Sequence, residues 1–210
     1  DLDRVCPYLH VPAQSGSDAV LRRMKRGYTA AFYRDMLRRI RETIPNAAVT
    51  SDFIVGFCGE TDADFEQTLD LVRHSRFKNS FIFKYSTRPG TKAAELYADD
   101  VSEAVKRRRN NELLAAQNAV SLEDNLRQVG RQVEVLVEGP SKSARKQGQE
   151  GDRQQLVGRT TCDRIVVFDG PVCLAGQIVE VHIDRAEPIT LHGSLAAGAE
   201  SDSRRVGSER

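Results

Sequence analysis

Ala47-Ala48-Val49-Thr50-Ser51-Asp52-Phe53-Ile54-Val55-Gly56-Phe57 is the stretch on which the fold turns. Apolar on either side of a polar Thr50–Asp52 step, it reads as a strand buried on both faces, the kind found in parallel sheets. Helical patterns flank it. Upstream, Phe32, Met36, Leu37, Ile40 and Ile44 recur at helical spacing between Thr29, a suitable cap, and Pro45. Downstream, Gly56 and Gly59 make a turn. Thr61 then caps a helix with Asp62 and Asp64 in its first turn and Phe65, Leu69 and Val72 along its inner stripe.

The same alternation extends both ways. A strand near Tyr8 to Val11 leads into the polar loop Ala13-Gln14-Ser15-Gly16-Ser17, with Asp18 at an N-cap position, a helix over Ala19 to Met24, and Gly27 ending it. Beyond the central unit, Ser80 to Tyr85 reads as a strand and Ser102 to about Leu122 as a long polar helix. Strands separated by helices predict a parallel sheet with functional loops at the strands' C-terminal ends. About three such units are fewer than a closed barrel uses, so further units are expected upstream. The chain opens on Asp1 and runs directly into a strand, which reads as a piece of a longer protein.

After Gly130 the period changes from helical to alternating. Gln132 to Glu138, Gln155 to Thr160, Arg164 to Phe168, Gln177 to Ile183 and Ile189 to His192 are strand candidates separated by Gly139-Pro140 and Asp169-Gly170-Pro171 turns. Four or five short strands in such a span predict a small antiparallel barrel resembling an OB-fold, with Ser141 to Arg153 as a long flexible loop. The expected organisation is α/β: residues 1–122, then an all-β barrel over 128–195, then a disordered tail over 196–210.

Of 210 residues 40% are apolar and 29% charged, and 31 Lys plus Arg offset 30 Asp plus Glu. A net charge of +1 excludes a global field that would draw in nucleic acid, so any RNA contact must be local. No apolar run approaches the roughly 18 residues of a membrane span. Cys6, Cys58, Cys162 and Cys173 lie far apart, without the short spacings of metal and cluster sites.

Several residues carry two readings. In Gln14-Ser15-Gly16-Ser17, the glycine permits close backbone approach and the amide and hydroxyls suit a ribose or carboxylate; alternatively the loop is a turn capped by Ser17 and Asp18. Asp52, beside Ser51 in an apolar strand, needs either a cofactor hydroxyl or ammonium or a neighbouring Arg or Lys. Gly56-Phe57-Cys58-Gly59-Glu60 either presents N–H groups and an aromatic ring to a ligand or is a plain strand-to-helix turn. Arg88, near Tyr85, has the planar fork for a carboxylate or phosphate, or is a solvated loop arginine. Lys106 to Arg109 spread around a helix and read as a solvated face. His10 and His74 read as structural. In the barrel, Arg131, Lys142, Arg145, Lys146, Arg153, Arg159 and Arg164 are the candidate phosphate contacts.

Four collinear motifs then carry a resemblance: His10-Val11-Pro12-Ala13-Gln14-Ser15-Gly16-Ser17, Met24-Lys25-Arg26-Gly27-Tyr28-Thr29, Asp52 through Thr61, and Phe83-Lys84-Tyr85-Ser86-Thr87-Arg88-Pro89-Gly90-Thr91. The sequence resembles the methylthiotransferase family of radical S-adenosylmethionine (SAM) enzymes. Gly130 to Leu195, with Gln155-Leu156-Val157-Gly158-Arg159-Thr160 and Gly176-Gln177-Ile178-Val179, is similar to the TRAM domain that ends them. The resemblance implies a partial radical SAM (β/α) barrel followed by a TRAM barrel. It implies SAM contacts at Gln14, Ser15, Gly16, Ser17, Ser51, Asp52, Gly56, Glu60, Tyr85 and Arg88, and RNA contacts at Lys142, Arg145, Lys146, Arg159 and Arg164. Also implied are [4Fe-4S] clusters bound by residues upstream of this chain, a tRNA anticodon stem-loop as partner, an electron-donor protein, and a cytoplasmic monomer with no membrane attachment.

The Phe83 to Thr91 motif is most similar to the branch that makes 2-methylthio-N6-dimethylallyladenosine in tRNA. Branches acting on threonylcarbamoyl-adenosine or a ribosomal protein, and a non-catalytic RNA-binding module, are the alternatives. Two departures stand out. Cys58 lies where the family has proline, and the family's C-x3-C-x2-C motif is absent, so this chain alone is expected to be inactive and to expose apolar surface.

Overall fold

The computed structural model describes residues 5–148 and 150–196. Its contacts divide the chain into a unit of Leu9–Ser121 and a unit beginning at Leu122, with the residues before Leu9 grouped with the latter.

In the first unit, β1 (Tyr8–His10), β2 (Ala48–Val55) and β3 (Asn79–Lys84) form a sheet in that order. Strands β2 and β3 are parallel, with Thr50, Asp52 and Ile54 opposite Asn79, Phe81 and Phe83. Between the strands lie α1 (Asp18–Arg23), α2 (Ala30–Thr43) and α3 (Asp62–Ser75), followed by α4 (Lys92–Leu96) and α5 (Glu103–Leu126). Strand alternation decides which face is buried. Val49, Phe53 and Val55 pack with Tyr33, Leu37, Phe65, Leu69, Val72, Phe77 and Leu113 in one core. On the register of Asp52 and Ile54, Phe81 and Phe83 each remain 53% exposed, so this second face of the sheet is open among the described residues.

Helix boundaries follow local chemistry. Thr61 and Asp64 form a reciprocal capping box at α3, and Thr29 accepts the Phe32 amide at α2. At α1 the cap is Ser17, not Asp18; Asp18 instead accepts the Ala30 amide at 2.7 Å and thereby serves the next helix. Phe32 and Ile44, expected on the inner stripe of α2, are exposed. Tyr33 takes that place because its ring packs with Phe77 and its hydroxyl donates to the Val11 carbonyl. Helix α4, capped by Thr91, occupies a stretch before Ser102 to which the sequence pattern assigns no element. Helix α5 runs to Leu126, four residues past the expected end.

The clearest correction concerns Lys106 to Arg109. Lys106 and Arg109 are buried, 2% and 3% exposed, while Arg107 and Arg108 remain at the surface. Positions 106, 109, 113, 117 and 120 fall on one stripe of α5, so two cations of the run necessarily turn inward, where carboxylates receive them.

In the second unit, β4 (Gln132–Pro140), β5 (Arg153–Arg159), β6 (Ile165–Pro171), β7 (Ile178–Ala186) and β8 (Thr190–Leu195) close a barrel in the order β4-β5-β6-β8-β7. All pairings are antiparallel except β6 with β8, which is parallel. Inward residues alternate as expected, with Val135, Leu156, Val166, Phe168, Val181, Ile183 and Leu191 at its centre. The stretch Ser141 to Arg153, expected to be a flexible loop, contains α6 (Lys142–Lys146). Ser141 caps it and bonds Gln155, and Ala144 is buried. The tail expected over 196–210 lies outside the described residues from 197 onward.

Candidate functional site

On the open face, three polar side chains line up across β1 and β2. His10 Nδ1 lies 3.0 Å from Thr50 Oγ1, and His10 Nε2 lies 3.4 Å from Asp52 Oδ2. The Phe81 ring stands edge-on to the imidazole, centroids 6.5 Å apart. Asp52 Oδ1 is buried yet makes no hydrogen bond among the described residues. An acceptor in that state costs free energy unless a donor arrives, and no Arg or Lys among those residues supplies one. The orphaned oxygen fits a ligand hydroxyl or ammonium; Glu60 Oε1 is likewise buried without a hydrogen-bond partner among the described residues.

Gln14 borders this face. Its backbone is left-handed, φ 66°, and bridges β2 by donating to the Asp52 carbonyl at 2.8 Å and accepting from Ile54 N at 3.0 Å. A non-glycine residue held there marks a position fixed by its surroundings.

The rest of the predicted loop is spent internally. Ser15 Oγ and Gly16 N both bond Thr68 Oγ1, and Ser17 Oγ donates to Asp64 at 2.5 Å. A side chain at Gly16 would collide with the Gln67 carbonyl and lie 2.7 Å from Thr68 Cα, so the close approach this glycine permits is to α3. Burial alone would raise the Asp64 carboxyl; donation from Ser17 and Thr61 outweighs it and holds the group below the usual range. Ser51 likewise points to the helical side. It accepts the Ala13 amide at 2.9 Å and lies 3.3 Å from the Tyr33 hydroxyl, which burial makes a far weaker acid than usual.

The turn after β2 is clamped from several directions. Gly56 N donates to Glu60 Oε2 at 2.6 Å, and Arg109 donates to the same carboxylate oxygen at 2.8 Å and to the Glu60 carbonyl. Burial pushes the Glu60 carboxyl up, against the Gly56 amide and the arginine. Gly56, φ 71°, lies directly on the Lys106 side chain, whose ammonium binds both oxygens of Asp99 at 2.7 Å. Arg23 donates to the Gly59 carbonyl and Asp100 accepts the Gly59 amide.

Phe57 is buried edge-on against Tyr85, centroids 4.8 Å apart, and Cys58 packs into the same cluster. Tyr85 is buried, which raises its hydroxyl pKa, and Lys106 sits 5.5 Å over its ring. Gly56, Glu60 and Tyr85 are thus brought together as a supported turn, whereas Arg88 is exposed on the loop before α4, away from any acidic partner among the described residues.

Sequence reasoning missed Lys106, Arg109, Asp64 and Thr68. The basic run and the Thr-x-x-Asp cap were visible, but only the fold shows which carboxylates turn toward them.

The five barrel cations that the resemblance implies as RNA contacts fall into two groups. Lys142, Arg145 and Lys146 are exposed on α6 and pair with no acidic residue among those described. Arg159 instead binds Glu138 and Asp163, and Arg164 binds Asp124 and Asn125 at the end of α5. For the clusters the donor set does not fit: no group of three or more His, Cys, Asp or Glu converges among the described residues, and the four cysteines are free thiols. No described helix is long and apolar enough to cross a membrane.

The radical SAM superfamily profile matches residues 2–72 and the TRAM domain profile residues 126–196. A protein of Rhodopirellula baltica named tRNA-2-methylthio-N(6)-dimethylallyladenosine synthase is 60% identical over 195 residues, covering 93% of this chain and 41% of its own length. Proteins of the same name from Desulforamulus reducens and Porphyromonas gingivalis are 45% and 46% identical over 91% of this chain. The chain spans 40–41% of the length of these relatives. Among solved structures, coproporphyrinogen III oxidase of Escherichia coli, a radical SAM enzyme, is 15% identical with a TM-score of 0.44, covering 86% of this chain and 41% of its own, a likeness too slight to argue from.

Proposed function

We propose that this chain belongs to the radical SAM methylthiotransferases and supplies the SAM-facing sheet and the RNA-docking barrel of a tRNA methylthiotransferase acting on N6-dimethylallyladenosine. The observation that carries the proposal is the 60% identity over 93% of the chain to a protein of that name. When bound, SAM supplies both the radical that activates an aromatic C–H bond and a methyl group.

This chain's residues would bind and orient. Asp52 accepts a donor from the cofactor through its free oxygen, Gln14 shapes the rim, and the clamped Gly56–Glu60 turn keeps the strand end in place. Lys142, Arg145 and Lys146 are the phosphate contacts for the anticodon stem-loop; Arg159 and Arg164 support the barrel. The cluster cysteines belong to residues outside this chain, an electron-donor protein completes the system, and the enzyme works as a cytoplasmic monomer.

The test is anaerobic expression from the complete reading frame, cluster reconstitution, and mass spectrometry of digested tRNA. Accumulation of 2-methylthio-N6-dimethylallyladenosine that is lost in Asp52→Ala is the expected result. Intact clusters without that nucleoside would overturn it.

A further inference from the structure

The imidazole of His10 has no role in the function proposed above, yet its surroundings fix it closely. One ring nitrogen meets Thr50 Oγ1 at 3.0 Å; with that hydroxyl donating to Nδ1, the ring proton lies on Nε2. The other nitrogen faces Asp52 Oδ2 at 3.4 Å, and the Phe81 edge closes one side of the ring. Asp52 therefore has one oxygen facing the imidazole and one, Oδ1, that is buried without a hydrogen-bond partner among the described residues. A carboxylate on a free χ2 would present either oxygen and rotate between them. With Oδ2 engaged, the acceptor left for a ligand is always Oδ1.

We propose that His10 is a positioning residue for Asp52: held by Thr50 and Phe81, it engages Oδ2 and so aims Oδ1 at the donor group of a nucleoside ligand on the open face. Neither His10 nor Thr50 need touch the ligand. The contribution is preorganisation, which appears as affinity, because the carboxylate loses no rotational freedom on binding. The proposal rests on the open face being the SAM-binding surface.

The test measures affinity for S-adenosylhomocysteine, which cannot react, by titration calorimetry on protein expressed from the complete reading frame. His10→Ala, Asp52→Asn and the double substitution form a cycle, and His10→Gln, which keeps an amide donor, is the variant for rescue. Asp52→Asn is expected to weaken binding about tenfold or more and His10→Ala about fivefold. The double variant should be no weaker than Asp52→Asn alone, and His10→Gln should recover most of the affinity.

A purely architectural histidine would give additive losses, so additivity overturns the proposal. Unchanged affinity in His10→Ala beside a weakened Asp52→Asn overturns it too, while leaving the ligand surface standing. Unchanged affinity in Asp52→Asn overturns that surface and the proposal with it. Should His10→Ala melt early, His10→Leu, which fills the space of the ring without a donor, replaces it in the cycle, measured alone and combined with Asp52→Asn.

Discussion

Arg109 Nη1 donates to Glu60 Oε2 at 2.8 Å with both side chains almost wholly excluded from solvent. This pair ties α5 to the turn that follows β2, and its members are far more sensitive to losing one partner than to losing both. Arg109→Met should strand a buried carboxylate and destabilise the protein by about 3–5 kcal/mol. The double change Glu60→Gln with Arg109→Met should recover a large part of that loss. Denaturant titration of the two variants checks both statements; equal losses in the single and the double variant would refute them.

Gly16→Ala should be as damaging as a core substitution although it adds one methyl group. The new carbon meets the α3 backbone at Gln67 and Thr68, which cannot turn aside like a side chain. A cost of about 1–3 kcal/mol is expected, read from the melting curve. The same change at Gly27, where nothing lies within 4 Å, should be nearly silent.

Acid should act through Asp64. Its pKa is depressed in the folded state, so its stabilising contribution is complete above the unfolded carboxylate range near pH 4 and disappears as pH falls through the lower folded value. Wild type should therefore be more stable than Asp64→Asn at pH 6, and the gap should narrow steadily between about pH 4 and the folded pKa. A gap independent of pH would show that the carboxylate's charge is irrelevant to the Ser17 and Thr61 bonds.

The barrel cations should separate by salt dependence. Alanine at Lys142, Arg145 or Lys146 should each lower the slope of log affinity against log salt for an anticodon stem-loop by about 0.7–0.9, as loss of one phosphate contact requires. Arg164→Ala should leave that slope unchanged and lower barrel stability by about 1–3 kcal/mol, because its guanidinium is committed to Asp124 and Asn125. A reduced slope for Arg164→Ala would return that residue to the RNA surface.

Much of the fold was legible because it rests on period and capping. The switch from helical to alternating spacing at Gly130 marks where the barrel begins, and Thr29 and Thr61 announce their helices without help from tertiary contacts. The site was legible in part. Asp52 was singled out by the cost of burying a carboxylate, and it does retain an unsatisfied oxygen. Ser15, Ser17 and Ser51 have the right chemistry for a ligand, but the fold turns their hydroxyls toward α3 and the loop at Ala13. No local pattern could reveal that, since the partners Asp64 and Thr68 of the first two are distant in the chain. The same distance hid the burial of Lys106 and Arg109: a basic run looks solvated until the carboxylates that accept it are brought across the chain.

The parallel pairing of β6 with β8 has a consequence for the order of assembly. Strand β8 lies between β6 and β7 and is the last strand among the described residues, so neither neighbour can be completed until Thr190–Leu195 has been synthesised. The earlier strands can form hairpin-like contacts as they emerge, but the barrel's core stays open at the place where Leu191 belongs. Translation that stalls before this strand leaves two unpaired edges facing each other across a gap, a state that invites pairing with another chain. The short strand at the end of the domain thus acts as its keystone, and the time until it leaves the ribosome is the interval in which the nascent barrel is most in need of a chaperone.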